Sequence, residues 1–294
     1  MPNRSRDKQL AKLAARRQAE RRSAKRRRGL IASVVAIVVA IALVVAGFAF
    51  LTRDDGDTQA NDTPAGPTPS ASVSAEPSGE PGTRSGTVQA AVEPPATVAC
   101  GGKVPKGAGG PTPQFIGPPP MMIDEQATYT ATIATSCGSF EAELRPVIAP
   151  QAVNSFVFLA ERGFYDGLTF HRIVGDFVIQ GGDPLGDGTG GPGYSFDIET
   201  SAKQTFDAPG LLAYANGGPG TNGSQFFVTL APTPQLDPGP SGQFTIFGQV
   251  TRGLDVVRRI GKVQGSENPG IPGEKSVPTE AVYIDSITID ERSA

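Results

Sequence analysis

The 294-residue sequence predicts a mainly β fold: a closed antiparallel barrel with two helices, preceded by a transmembrane helix and a disordered linker. Three observations predict it. From residue 124 onward, short runs rich in Val, Ile, Phe and Tyr recur between glycine-rich turns, a rhythm of antiparallel strands rather than of alternating strands and helices. Only two segments of that region place apolar residues at helical spacing. Upstream, an uncharged run of 22 residues gives way to a stretch dominated by Pro, Gly, Ser, Thr and Ala.

Residues 1–29 form a basic arm. Twelve of the 26 Lys and Arg precede residue 29, ending in Lys25, Arg26, Arg27 and Arg28, against Asp7 and Glu20 alone. The net charge of -3 therefore averages this arm with a distinctly acidic remainder. A basic arm can bind nucleic acid, but this one runs straight into LIASVVAIVVAIALVVAGFAFL, Leu30–Leu51, which carries no charge. At about 1.5 Å per residue the run spans about 33 Å, close to the hydrocarbon thickness of a bilayer. It reads as a signal anchor, with the arm in the cytoplasm against anionic lipid and everything after Arg53 on the far side. No nucleic-acid partner is expected. A cleaved signal peptide is the competing reading; its apolar region is shorter, about 7–15 residues, and AGFA at Ala46–Ala49 is a poor cleavage site.

Residues 52–123 read as a tether. The stretch DTPAGPTPSASVSAEPSGEPGTRSG has too few large apolar groups to offset its ordering entropy, and a flexible coil of about 70 residues reaches about 40–50 Å. Cys100 lies in this segment and Cys137 beyond it. In an extracytoplasmic, oxidising setting the two can pair, pinning the end of the tether to the domain; two unpaired thiols are the alternative. Their spacing fits no zinc motif, and with one histidine in the chain no transition-metal site is expected.

The domain spans residues 124–294. TYTATIATSCGSFEAELRP, Thr128 to Pro146, alternates apolar and polar residues on both sides of Cys137-Gly138, as a β-hairpin does. PQAVNSFVFLAERG, Pro150 to Gly163, sets Val153, Phe156, Val157 and Ala160 at helical spacing, with proline at the start and glycine at the end. Strand-like runs follow: LTFHRIV, FVIQGG, YSFDIE, LLAYAN, SQFFVTL, FTIFGQV and AVYIDSITID. A second short helix fits GLDVVRRIGKV, Gly253 to Val263.

FHRIVGDFVIQGGDP (Phe170 to Pro184), GDGTGGPGY (Gly186 to Tyr194), LLAYANGGPGTNGSQFFVT (Leu211 to Thr229) and FTIFGQV (Phe244 to Val250) stand in the order and spacing of the cyclophilin peptidyl-prolyl isomerases, which this region resembles from about Thr128 to Asp290. The resemblance implies an eight-stranded antiparallel barrel capped by two helices, isomerisation of X–Pro bonds, and no metal or organic cofactor. The anchor and proline-rich linker also resemble the layout of exported actinobacterial cyclophilins. Proline-containing unfolded or exported polypeptides are the expected partners, the membrane is contacted through Leu30–Leu51, and the catalytic domain is expected outside the cytoplasm.

The chemistry asks for few groups. Rotation about X–Pro breaks no covalent bond; the barrier of about 18–20 kcal/mol is amide resonance. A permanently charged arginine can donate to the prolyl nitrogen as it regains its lone pair, while an apolar slot holds the ring. Arg172 occupies the position of the family's catalytic arginine. Gln180, two residues beyond Val178 and so on the same strand face, and Gln225 match polar substrate contacts. Phe177, Val178, Phe227, Leu236 and Phe244 match the positions lining the proline slot, although alternate apolar residues on strands more often face a core. Ala215, Asn216 and Gly217 match the backbone edge that pairs with the bound peptide. Asn222-Gly223 is first of all a turn signal. His171 adjoins Arg172 in the strand and is expected to point to the opposite face as scaffold. Gly186 to Gly193 lacks the lysine and helix start of a phosphate loop.

The sequence also departs from the family pattern. Gln235 stands where the cyclosporin site usually has tryptophan, Phe244 where a histidine is usual, Val178 where a methionine is usual, and Gly175-Asp176 where Pro-Gly is common. Weak cyclosporin binding is expected. The loop PTPQLDPGPSGQ, Pro232 to Gln243, is longer and richer in proline than in the family. A non-catalytic proline-peptide-binding module, tethered to the membrane, is the alternative function.

Overall fold

The structure is a computed structural model and describes residues 91–200, 204–237 and 243–293. The basic arm, the anchor Leu30–Leu51 and the tether up to residue 90 lie outside the described residues. Among the described residues no helix is long and apolar enough to cross a membrane.

Among the described residues ten strands and two α-helices make up the domain. Eight strands form one sheet: β1 (Thr128–Thr135), β2 (Gly138–Leu144), β3 (Arg172–Val174), β4 (Val178–Gly181), β5 (Leu211–Tyr214), β6 (Phe226–Thr229), β7 (Ile246–Arg252) and β10 (Ile284–Arg292). Their order across it is β10-β1-β2-β7-β5-β6-β4-β3. The other two, β8 (Gly265–Asn268) and β9 (Ile271–Pro278), form a separate hairpin. The first hairpin follows its alternation: Tyr129, Ala131 and Ile133 on β1 and Phe140, Ala142 and Leu144 on β2 are buried. Gly138, with φ 114°, supplies a turn conformation that L side chains rarely adopt, and Thr135 Oγ1 donates to its carbonyl (2.6 Å).

Helix α1 (Pro150–Glu161) lies in the core, and its residues from Ala152 to Ala160 are all buried. Phe156 is the hub, with ring centroids 5.3 Å from Tyr165, 5.6 Å from Phe226 and 5.1 Å from Phe247. The sequence spacing marks one face of this helix; the opposite face is buried because upstream chain covers it. Phe115 packs on Phe158 at 4.8 Å, Asn154 accepts from the Met122 N–H and donates to the Pro120 carbonyl, and Ser155 shares a hydrogen bond with the Tyr194 hydroxyl. Proline at the start removes one orphan N–H of α1. The carboxylate of Glu199 accepts from the next two, those of Gln151 and Ala152. Burial pushes the Glu199 carboxyl up, against the lowering effect of these two N–H groups. Helix α2 (Leu254–Ile260) follows Gly253 and buries Val256, Val257 and Ile260.

The structure differs from the sequence expectations in four places. First, ordered chain reaches back well before residue 124: Ala99 and Phe115 are buried, and Val98 bridges to Ala281. Cys100 and Cys137 form a disulfide that joins this segment to the β1–β2 turn. Second, the barrel is not closed. The sheet curls, but β3, with three residues, is too short to ladder along β10. The two ends of the sheet meet through the isolated Thr169–Tyr283 bridge and the backbone bonds Gly167 N–H to Ile284 O, Phe170 N–H to Val282 O and Ile284 N–H to Leu168 O. Third, YSFDIE makes one bridge, Phe196 to Asn222, rather than a strand; its role is to bring Glu199 to the helix. Fourth, the β8–β9 hairpin has no sequence signal, since only Ser276 and Pro278 of its residues are buried and no apolar alternation marks it.

Candidate active site

Register places the candidate residues in a row. Arg172 on β3 pairs with Gln180 on β4, Gln180 with Phe227 on β6, and Phe227 with Ala213 on β5. Residues directly opposite share a face, so all four side chains leave one side of the sheet. The neighbouring row, Ile173, Ile179, Val228 and Leu212, faces the other side and belongs to the main core with Phe156 and Phe247. Period-two alternation thus gives each strand one set of residues for stability and one for the site.

On the site side lies a second, smaller apolar cluster: Val178, Phe206, Leu211, Ala213, Phe227, Leu236 and Ile246, with Phe177, Ala215 and Phe244 packed against it. Phe227 and Phe206 stack at 5.9 Å with rings 24° apart. Phe244 meets Phe227 edge-on at 5.5 Å and Phe206 at 6.4 Å. Phe177 follows a tight turn whose Asp176 has φ 58°, and its carbonyl accepts from the Leu230 N–H. Leu236 sits in the 3-10 turn Pro234–Leu236. That turn is tied to Phe206 by the Asp237 carboxylate on the Phe206 N–H (2.6 Å) and by the Thr233 N–H on the Phe206 carbonyl (2.7 Å). The structure therefore brings together all five residues expected to line the slot, and adds Phe206, a single aromatic residue in a polar stretch that carries no periodic signal.

A polar chain runs beside the slot. Arg172 Nη1 donates to Gln180 Oε1 (3.4 Å), Gln180 Nε2 to Gln225 Oε1 (3.0 Å), and Gln225 Nε2 to the carbonyls of Gly188 and Gly190 (both 2.9 Å). On its other side Arg172 meets a partner that the sequence does not announce. Nε donates to Glu274 Oε1 and Nη2 to Glu274 Oε2, both at 2.8 Å. Burial pushes the Glu274 carboxyl up, but the two hydrogen bonds from Arg172, the nearby Ser276 side chain and the Arg172 charge outweigh it and hold the group below its usual value.

His171 has both ring nitrogens buried without a hydrogen-bond partner. Burial lowers its pKa and outweighs the raising effect of Asp183 and Asp187, with Arg172 lowering it further, so the ring stays neutral near pH 7. Ala215 and Asn216 are half-buried and Gly217 exposed. The Ala215 N–H is taken by the Gln225 carbonyl, the Gly217 N–H by Thr221 Oγ1, and the Asn216 side-chain amide by Asn222 Oδ1 and the Gln243 carbonyl. Gln235 is exposed on the 3-10 turn; the middle of the proline-rich loop, residues 238–242, lies outside the described residues. Among the described residues no cluster of His, Cys, Asp and Glu is arranged to hold a metal.

One fixed cation beside an apolar slot can stabilise a twisted amide without a nucleophile or a proton transfer. The comparisons with known proteins agree with that chemistry. The family model described as cyclophilin type peptidyl-prolyl cis-trans isomerase/CLD matches residues 130–289. A peptidyl-prolyl cis-trans isomerase of Arabidopsis thaliana is 48% identical over 136 residues, 45% of this chain and 80% of the relative. Peptidyl-prolyl cis-trans isomerase B of Streptomyces anulatus is 44% identical over 179 residues, 55% of this chain and 97% of the relative. Peptidyl-prolyl cis-trans isomerase-like 1 of Bos taurus is 50% identical over 135 residues, 45% of this chain and 79% of the relative. With strands, slot and arginine in this arrangement, the chain belongs to the cyclophilin-type peptidyl-prolyl cis-trans isomerase family and is an enzyme of that class.

Proposed function

We propose that this isomerase is membrane-anchored and acts outside the cytoplasm on X–Pro bonds of unfolded or exported polypeptides, with Arg172 as its catalytic residue. The observation that carries the reading is the row Arg172–Gln180–Phe227 beside the Phe177, Phe206, Phe244 and Leu236 cluster. The proline ring enters the slot. Arg172 donates to the prolyl nitrogen as conjugation is lost, while Gln180, Gln225 and the edge at Ala215 to Gly217 hold the flanking peptide. X–Pro isomerisation takes tens to hundreds of seconds uncatalysed, slow enough to limit folding, and the reaction needs no ATP.

The location rests on the arm and the anchor Leu30–Leu51, and the Cys100–Cys137 disulfide supports it, since such bonds persist in oxidising compartments. The test is protease added to intact cells that make the full chain. The reading expects loss of the domain with the N-terminal arm protected; a domain that survives until the membrane is opened contradicts it.

A further inference from the structure

We propose that Glu274 is a positioning residue for the isomerase reaction, one that clamps Arg172 from the edge of the sheet so that its remaining donors face the proline slot. The inference rests on Arg172 being the catalytic donor. A guanidinium has five N–H donors in a rigid fork. Glu274 takes the Nε–H and one Nη2–H in a two-pronged pair, and Gln180 takes one Nη1–H. Two donors, one on each terminal nitrogen, have no partner among the described residues.

Glu274 does not belong to the apolar cluster that forms the slot. It comes from β9 of the separate hairpin, which packs against β3. Strand β3 has β4 as its ladder partner, and the slot residues come from β4, β6 and the segments around Phe206 and Phe244. The carboxylate thus approaches the arginine from the hairpin while Gln180 holds it from β4.

The strand that carries the clamp is itself held. Ser276, two residues along β9 from Glu274, is fully buried, Asn268 Nδ2 of β8 donates to Ser276 Oγ at 2.9 Å, and the Ser276 side chain favours the ionised form of Glu274. From Glu274 through Arg172, Gln180 and Gln225 to the carbonyls of Gly188 and Gly190, the hydrogen bonds form one continuous line. Both partners of the pair keep little exposure, 18% and 19%, unlike the exposed pairs Arg252–Glu141 and Lys275–Glu267. A long arginine side chain fixed before substrate arrives has no ordering to undergo in the transition state.

The experiment uses the full chain in detergent micelles and reads cis/trans exchange of an Ala-Pro peptide and its dissociation constant separately, by NMR of the peptide. Glu274→Ala is expected to lower the exchange rate about tenfold, the effect of weakening one charge-assisted hydrogen bond in the transition state, with the dissociation constant within about twofold. Glu274→Gln, which keeps an acceptor, recovers part of the rate. Lys275→Ala, on the same hairpin but outside the clamp, keeps the wild-type rate. Selective labelling of arginine then shows the Arg172 Nε–H signal shifted in Glu274→Ala and unchanged in Lys275→Ala. Wild-type or faster exchange in Glu274→Ala, or an unmoved Nε–H signal, overturns the proposal, as does an equal fall in Lys275→Ala. Full exchange in Arg172→Ala overturns instead the assignment of Arg172 on which the proposal stands.

Discussion

Arg172 and Glu274, 102 residues apart in sequence, form a two-pronged ion pair with both N···O distances at 2.8 Å. The pair joins the shortest strand of the main sheet to a hairpin outside that sheet. Its pH dependence follows from the sign of the Glu274 shift. A carboxyl held below its usual value favours the folded state while it is ionised. That contribution is fully present above the ordinary glutamate pKa, about 4.3, and disappears as pH falls through the lower folded value. Urea unfolding of wild type and Glu274→Gln is expected to show a stability difference at pH 7 that narrows below about pH 4. A difference that widens on acidification contradicts the pairing.

Phe206 holds together the apolar cluster proposed as the proline slot, from a position the strand pattern does not mark. It is fully buried between Phe227 and Phe244, and its backbone is tied to Thr233 and Asp237. Phe206→Ala is expected to cost about 3–5 kcal/mol of stability and to weaken Ala-Pro peptide binding. Denaturant unfolding and peptide titration measure the two; a well-folded variant with unchanged peptide affinity shows that the cluster is not the proline slot.

The disulfide closes a long loop, with 37 residues of sequence separation between Cys100 and Cys137. Chain entropy then assigns it about 3–4 kcal/mol of stability. Neither cysteine lies among the slot residues, so Cys100→Ser is expected to lower the unfolding midpoint while leaving peptide exchange at 25 °C unchanged. A fall in activity in proportion to stability places the segment in the site.

Gln235 lies exposed on the turn that carries Leu236. Wild type is expected to bind cyclosporin weakly, and Gln235→Trp, which restores an indole N–H donor, to tighten binding about tenfold, the size of one added hydrogen bond. Calorimetry decides it. Equal affinities mean that Phe244 or the proline-rich loop, and not the missing indole, sets the weakness.

How far the sequence reaches can be followed residue by residue. Strand parity alone puts Val178 and Gln180 on one face, and Phe227 and Leu211 on neighbouring strands follow the same rule, so the structure gathers Val178, Leu211 and Phe227 in one apolar cluster beside Gln180. The first hairpin and α1 are legible because their alternation and spacing are local properties. Phe115 is not, because a lone aromatic residue in PTPQFIG gives no period, and its place in the core shows only in its packing on Phe158 and Tyr194. Glu199 reads as part of a strand because YSFDIE alternates, whereas its carboxylate caps a helix 47 and 48 residues earlier. Glu274 lies in a stretch with no apolar pattern, and nothing local to it signals a partner across 102 residues.

In the proposed function Arg172, placed beside the apolar cluster by the β3–β4 register, carries the isomerisation. The most direct measurement is cis/trans exchange of an Ala-Pro peptide, followed by NMR, with wild type and Arg172→Ala side by side and peptide binding measured on both. Wild type is expected to give rapid exchange and Arg172→Ala a fall of about a hundredfold or more, with the peptide still bound. Exchange that survives the substitution, or a wild type that binds the peptide without accelerating its exchange, contradicts it.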